Sequence, residues 1–159
     1  MFKEVTSASR KTRGFTLVEV MIVVVIIGLL AVMALPAFRK VRMNSQNARF
    51  ISDLRMFRGA AENYTLAEGV FPGDGSSGVL PAGLEEYIKP SDFQVRSPLG
   101  GSWDMEFEDS GVTFAIGVVD YTVSPEQIQM IEERFDDGDT ATGNLREIRT
   151  NGIYWVEAE

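Results

Sequence analysis

A continuous apolar run near the start of the chain is the most prominent pattern in the sequence. Residues 20–35 are 16 uncharged, mostly aliphatic side chains, and the apolar character extends over residues 15–38 with Glu19 as the single charge. A helix rises about 1.5 Å per residue, so these 24 residues span roughly 36 Å, which exceeds the ~30 Å hydrocarbon core of a bilayer. The run is longer than the roughly 7 to 15 apolar residues of a secretory signal, and no A-x-A pattern closes it. It therefore predicts a membrane-spanning helix.

Beyond Pro36 the apolar residues become periodic. Five of them recur at steps of four, three, four and three, which is the spacing of one helical face. They are Phe50, Leu54, Phe57, Ala61 and Tyr64. Gly69 and then Pro72 are typical of the end of a helix. We therefore expect one helix from Phe15 to about Ala67, apolar all round in its first half and amphipathic in its second.

Four later segments have the two-residue alternation of β-strands. They are residues 103–108, 112–119, 145–149 and 153–157. Turn residues 109–111 and the pair Asn151-Gly152, a type I′ signature, join them into two hairpins. Residues 125–135 predict a helix, and residues 83–88 predict a shorter one within a loop rich in Gly and Pro. The predicted fold class is α+β, with the second half of the long helix packed on a small antiparallel sheet of about four strands.

Acidic residues occupy one face of the first predicted strand. Asp104, Glu106 and Glu108 alternate with aromatic and Met side chains, so their carboxylates lie on one side of the strand. This is the pattern of a solvated sheet face, and we adopt it over a catalytic carboxylate site. No other residues form a recognisable nucleophile and base. We expect a structural protein and not an enzyme.

Composition and charge narrow the chemistry further. The chain contains no Cys and no His, which excludes disulfides, thiol nucleophiles, His-based triads and zinc sites of the Cys/His type within it. The formal charge of −8 is segregated, because residues 1–14 carry +3, residues 39–58 carry +5 and residues 59–159 carry −15. The acidic balance argues against direct binding of nucleic acid.

The string RGFTLVE at residues 13–19 resembles the cleavage and methylation site of type IV prepilins and type II secretion pseudopilins. The resemblance implies that residues 1–14 are a leader peptide, removed after Gly14 by a prepilin peptidase, and that Phe15 becomes the N-methylated first residue. It further implies a transmembrane and polymerisation helix at residues 15–38, followed at residues 39–159 by an amphipathic helix and a periplasmic globular head, which is the pilin-like architecture.

Glu19 stands four residues after Phe15, where the family has a glutamate. A carboxylate inside a bilayer costs roughly 2.5 to 3.5 kcal/mol on insertion scales and usually has a partner. The new amine of Phe15 supplies one, either on the same helical face or between staggered subunits. We favour the second arrangement, in which the pair sets the register of assembly, over an acid that only suits the first helical turn and extends to the interface.

Gly28 and Pro36 also stand where the family often has a helix-loosening glycine and a kinking proline. One interpretation is close packing among membrane helices, in which both residue types are tolerated. The other is a weak helical stretch that loses hydrogen bonds when a filament forms. Both interpretations stay open.

Residues 136–144 gather hard oxygen ligands in one loop. Asp136, Asp137, Asp139 and Asn144 suit calcium in type, although their spacing is not that of an EF-hand. In the family that the motif resembles, several major pseudopilins use calcium to brace a C-terminal loop and many type IV pilins use a disulfide. We take a plain acidic surface loop as the default interpretation and calcium binding as a hypothesis, with no other cofactor expected.

The resemblance implies a structural subunit of a type IV-like filament. Lack of Cys favours a type II secretion pseudopilin that supports protein export over a type IV pilus pilin acting in adhesion, motility or DNA uptake. A membrane-anchored binding module that never polymerises is the third interpretation. The expected partners are copies of the chain, minor pilins or pseudopilins, the prepilin peptidase, an inner-membrane assembly platform with its ATPase, and the lipid bilayer.

The expected location is the bacterial inner membrane, crossed once with the head in the periplasm, and after assembly a periplasmic or cell-surface filament. Four basic residues follow the apolar run: Arg39, Lys40, Arg42 and Arg49. They suit lipid phosphates at the interface, and they also suit the acidic heads of neighbouring subunits. The two roles are compatible.

Overall fold

The computed structural model describes residues 14–158, so the predicted leader lies outside the described residues except for Gly14. The chain divides into two compact units, Met1–Lys40 and Val41–Glu159. Within the first, the described residues are the beginning of one long helix. The second unit contains the remainder of that helix and all the other elements.

The long helix α1 extends from Leu17 to Glu68, within two residues of its predicted start and one of its predicted end. Pro36 lies inside it. An 18-residue window of α1 has a mean hydropathy of 3.0 and contains no buried residue. Among the described residues, α1 is the one helix whose length and composition suit a membrane span. The predicted apolar helix is therefore confirmed.

Three shorter helical segments follow α1. A 3₁₀ turn covers Leu84–Glu86, α2 covers Pro90–Gln94 and α3 covers Pro125–Phe135. Helix α3 has its predicted bounds, the short helix expected at residues 83–88 is only the 3₁₀ turn, and α2 was not predicted. Helices α2 and α3 both begin with Pro, whose missing N–H has no partner to lose in the first helical turn.

Four antiparallel strands form one sheet in the order β1-β2-β4-β3. They are β1 Ser102–Asp109, β2 Val112–Val119, β3 Leu145–Arg149 and β4 Gly152–Ala158. Ser110 and Gly111 between β1 and β2 both have positive φ, 52° and 81°, as a two-residue type I′ turn needs. The Asn151-Gly152 prediction is wrong in detail, since Asn151 alone has positive φ, 55°, and Gly152 already pairs with Arg149 in the sheet.

The core lies between the second half of α1 and one face of the sheet. Of the predicted helical stripe, Tyr64 is half-buried and the other four members are buried. The Phe57 ring lies edge-on to the rings of Trp103 and Phe93, with centroids 4.8 and 5.3 Å away, and Phe50 stacks on Trp103 at 5.6 Å. The predicted packing of this helix on this sheet is confirmed.

The prediction of a solvated acidic face is wrong for two of its three acids. Asp104 and Glu106 are only 2% and 1% exposed, whereas Glu108 is exposed. The Tyr154 hydroxyl donates to Asp104 Oδ2 at 2.7 Å. The Arg149 guanidinium donates to the same oxygen at 3.3 Å and pairs with Glu106 Oε1. Both acids are therefore covered by side chains from β3 and β4, although Glu106 Oε2 is left without a hydrogen-bond partner.

Gly117 explains how Tyr154 covers this face. Asp104, Gly117 and Tyr154 lie in one row across β1, β2 and β4. A Cβ at position 117 would lie 2.7 Å from Tyr154 Cγ, so only glycine leaves space for the ring above the central strand. The ring then extends to the acid on β1.

Candidate functional site

Glu19 and Thr16 cap the N-terminus of α1, near the start of the described chain. The backbone N–H and the hydroxyl of Thr16 each donate to Glu19 Oε2 at 2.8 Å, and the Glu19 N–H donates to Thr16 Oγ1 at 3.2 Å. This reciprocal pair is a capping box, in which the first turn of the helix satisfies its own free N–H groups. The sequence signal, Thr followed three residues later by Glu, was present and our sequence interpretation missed it.

The capping box places the Glu19 carboxylate beside the backbone that follows Gly14 and Phe15. Phe15 is 88% exposed, and Glu19 is exposed as well. In the described chain, Glu19 therefore bonds to Thr16, which agrees with the interpretation of an acid that suits the first helical turn. The arrangement leaves the register hypothesis untested, because that hypothesis concerns the cleaved chain and its neighbour.

The apolar side chains of α1 that follow Glu19 have no cover within the described chain. Large hydrophobic residues from Leu17 to Leu35 are at least half exposed. A Cβ added at Gly28 would have no atom within 4 Å, so nothing in the described chain requires glycine there. Such a surface is stable only in lipid or against other apolar chains.

In the predicted calcium loop, the carboxylates of Asp136 and Asp137 accept hydrogen bonds from residues later in the chain. Asp136 Oδ2 accepts from the N–H groups of Asn144 and Leu145 at 2.5 and 2.7 Å. Asp137 accepts from the Asp139 N–H at 2.9 Å and, through its other oxygen, from the Thr142 hydroxyl at 2.8 Å. These hydrogen bonds tie the end of α3 to the start of β3. They hold Asp136 and Asp137 in fixed positions.

A third carboxylate, that of Glu132, lies close to those of Asp136 and Asp137. Glu132 is on α3, one helical turn before Asp136. One carboxylate oxygen from each of the three residues lies within 4.8 Å of the other two. Glu132 is fully buried, and neither of its carboxylate oxygens has a hydrogen-bond partner. Burial, and next the charge of Asp136, raise the pKa of Glu132 to about 7. A buried carboxylate beside two others is stabilised by a proton or by a cation.

The arrangement therefore defines a candidate metal centre of Glu132, Asp136 and Asp137. All of its ligands are hard oxygens, as Ca²⁺ prefers. Of the other residues predicted for this site, Asp139 uses Oδ1 to accept from the Ala141 N–H, and Asn144 contributes its backbone N–H to Asp136. Glu132 was missed because our prediction took only the loop, although Glu132 lies in the last turn of α3 and Asp136 is the residue that directly follows this helix.

Residues 9–35 match the family described as "Prokaryotic N-terminal methylation motif". The chain carries this motif. The resemblance inferred from residues 13–19 is therefore confirmed.

Relatives of the chain are type IV pilins and type II secretion core proteins. The fimbrial protein EcpC of Eikenella corrodens is 39% identical over 70 residues, which are 44% of this chain and 46% of the relative. The type IV major pilin protein PilE of Neisseria gonorrhoeae is 38% identical over 65 residues, 41% and 39% of the two chains. The type II secretion system core protein G of Vibrio cholerae is 32% identical over 95 residues, 59% and 61%.

The chain thus spans between about two fifths and three fifths of the length of these relatives. No solved structure matches the chain. The fold of the chain, a long N-terminal helix with a small antiparallel sheet, is consistent with the pilin-like class that the sequence predicts.

Proposed function

We propose that the protein is a structural subunit of a filament of the type IV pilus or type II secretion kind. The observation that carries the proposal is the uncovered apolar surface of α1 up to Leu35, which lies within the methylation motif and contains Glu19 as its one acid. In a filament, this surface passes from lipid into a bundle of identical helices. A helix that only anchored a head would need neither the motif nor the acid.

The first step of the proposed mechanism is cleavage between Gly14 and Phe15 by a prepilin peptidase, followed by methylation of the new amine. The amine stays positively charged after one methylation. It then lies within reach of Glu19 in the first turn of its own helix, or of Glu19 in the adjacent subunit. A carboxylate in hydrocarbon is stabilised by such a partner, so the incoming subunit stops where its amine meets the acid. Residues 15–38 are the membrane and polymerisation segment, and residues 39–159 supply the amphipathic part of the helix and the head.

Within the filament class, we propose the pseudopilin branch, which supports protein export. The observation that favours it is a loop near the C-terminus, residues 136–144, whose ends are joined by hydrogen bonds to the Asp136 carboxylate. The chain has no cysteines that could join them by a disulfide. A pilin of a type IV pilus is the alternative within the class.

The proposed partners are copies of the chain, minor subunits and the inner-membrane assembly platform with its ATPase. The proposed location is the inner membrane with a periplasmic head before assembly.

Intact-mass spectrometry of protein from the membrane tests processing. The expected mature chain begins at Phe15 and carries one added methyl group. A native protein that retains residues 1–14 contradicts the proposal and supports a plain membrane anchor.

Electron microscopy of two matched variants tests the register mechanism. Glu19→Gln removes the charge but keeps a side chain that serves in a capping box, and we expect leader removal and membrane insertion without filaments. Thr16→Ala removes the capping hydroxyl but keeps the charge, and we expect filaments in near-normal number. Normal filaments from Glu19→Gln exclude the charge pair as the element that sets register.

A further inference from the structure

A second group of carboxylates comes from segments that precede α3 in the sequence. Asp74 belongs to the loop after α1, while Glu106 and Asp109 belong to β1. One carboxylate oxygen from each lies within 4.8 Å of the other two. The segment that holds Asp74 is pinned to the edge strand β1, because the Gly78 N–H donates to the Trp103 carbonyl at 2.7 Å.

Glu106 supplies the independent sign of a ligand. Its side chain is 1% exposed, and Oε1 pairs with Arg149 and lies 3.4 Å from the Tyr154 hydroxyl. Oε2 is buried and has no hydrogen-bond partner. An unpaired buried carboxylate oxygen loses its hydration without compensation. The same carboxyl group lies in the cluster with Asp74 and Asp109, which brings two more negative charges close to it.

We propose that Asp74, Glu106 and Asp109 bind one divalent hard cation, with Ca²⁺ as the best-fitting ion. Ligand oxygens around Ca²⁺ lie roughly 2.3 to 2.6 Å from the ion, so two of them on opposite sides are about 4.6 to 5.2 Å apart. One oxygen from each of the three residues lies within 4.8 Å of the other two, which is close enough for a single ion to contact all three. Ca²⁺ also accepts irregular geometry completed by water, whereas Mg²⁺ demands a near-ideal octahedron.

The bound ion ties the loop after α1 to the β1–β2 hairpin. Asp74 and Asp109 are exposed and Glu106 is buried, so the ion enters from solvent and rests on the buried acid. The site shares no residue with Glu132, Asp136 or Asp137. It also does not depend on filament assembly, and the full chain in detergent micelles is sufficient to test it.

Hydrogen exchange measured by mass spectrometry, with calcium chloride or with EGTA, tests the site. Calcium is expected to slow exchange in residues 73–78 and 109–112. Asp74→Asn and Asp109→Asn are expected to remove that protection and to weaken calcium binding at this site by about tenfold or more, since even outer-shell losses cost 10 to 100-fold. Glu108→Gln is the matched control, because Glu108 is exposed, neighbours Asp109 and lies outside the cluster. It is expected to keep the protection.

Two outcomes overturn the proposal. The first is equal exchange of both segments with calcium and with EGTA. The second is calcium protection that persists in Asp74→Asn and Asp109→Asn. Equilibrium dialysis with radioactive calcium measures the number of bound ions, and we expect the wild type to bind one ion more than either Asp→Asn variant. Magnesium chloride forms a parallel arm, and protection by magnesium equal to that by calcium contradicts the choice of ion.

Discussion

Glu132 has a buried carboxylate for which the described chain provides no hydrogen-bonded partner. It is fully buried, both oxygens lack a hydrogen-bond partner, and Asp136 and Asp137 add negative charge beside it. Leaving such a group ionised and unpaired costs several kcal/mol. A calcium ion shared with the two aspartates would replace this repulsion by attraction. The residue is therefore more consistent with a ligand than with a packing element.

Calcium is therefore expected to stabilise the head through Glu132. At a calcium concentration about 100 times the dissociation constant, binding adds about 2.7 kcal/mol, which corresponds to a Tm rise of roughly 5 to 10 °C for a chain of this size. Thermal unfolding in calcium and in EGTA measures it. The comparison is made in the Asp74→Asn background, so that the site on β1 does not contribute.

Two substitutions in that background make the test specific. Glu132→Gln is expected to lose most of the calcium response and, in EGTA, to melt above its parent, because a neutral amide replaces a buried charge. Glu133→Gln is the matched control, since Glu133 is the exposed neighbour on α3 and only accepts from Gln129 at 3.3 Å. Equal Tm values in calcium and in EGTA for the parent argue for a plain acidic loop.

At the scale of elements, the second half of α1 and the sheet depend on each other for burial. Phe57 illustrates this dependence, because it is 0% exposed and its ring contacts Trp103 on β1 and Phe93 on α2. Aromatic side chains in such contacts bury large apolar areas and add edge-to-face attraction. Among the described residues, the stripe that includes Phe57 is the one large buried surface of α1.

Phe57→Ala is accordingly expected to destabilise the head by about 3 to 5 kcal/mol, since it leaves a cavity between α1, β1 and α2. Urea or thermal unfolding of the full chain in detergent, followed by the near-ultraviolet signal of Trp103 and Trp155, measures the loss. Met56→Ala is the control on the preceding residue, which is 47% exposed, and we expect a change within about 0.5 kcal/mol. Similar losses for the two variants contradict the proposed core.

The elements could be predicted where local patterns determine them. The helical stripe, the alternating strands and the Pro at the start of α3 each depend on residues a few positions apart, and their observed bounds agree within two residues. The burial of Asp104 and Glu106 could not be predicted in this way. It depends on Tyr154 and Arg149, which are more than 40 positions away and arrive through strand pairing across Gly117. Glu132 was missed for a related reason, because its environment combines a helix with a folded loop.

At the scale of the whole molecule, charge is distributed unevenly along the chain. Residues 59–159 carry −15, and residues 39–58 carry +5. Heads that each carry such a negative charge repel one another when packed side by side. The basic residues Arg39, Lys40, Arg42 and Arg49 are all exposed in the described chain and are available to a neighbouring head. In the proposed filament, opposite charges on neighbouring subunits would offset the repulsion between heads.

Filaments are therefore expected to lose cohesion at high salt. Screening shortens the reach of exposed charges from about 10 Å at 0.1 M to about 3 Å at 1 M, so the pelleted fraction of isolated filaments should fall between these concentrations. Arg39→Gln combined with Arg42→Gln should lower the pelleted fraction already at 0.1 M and flatten its dependence on salt. Arg96→Gln is the control, because it removes an exposed positive charge that lies outside the basic segment, residues 39–58. Equal pelleting of wild-type filaments at both salt concentrations contradicts this prediction. In that case the subunits are held together by the apolar helix alone and not by attraction between the basic segment and the heads.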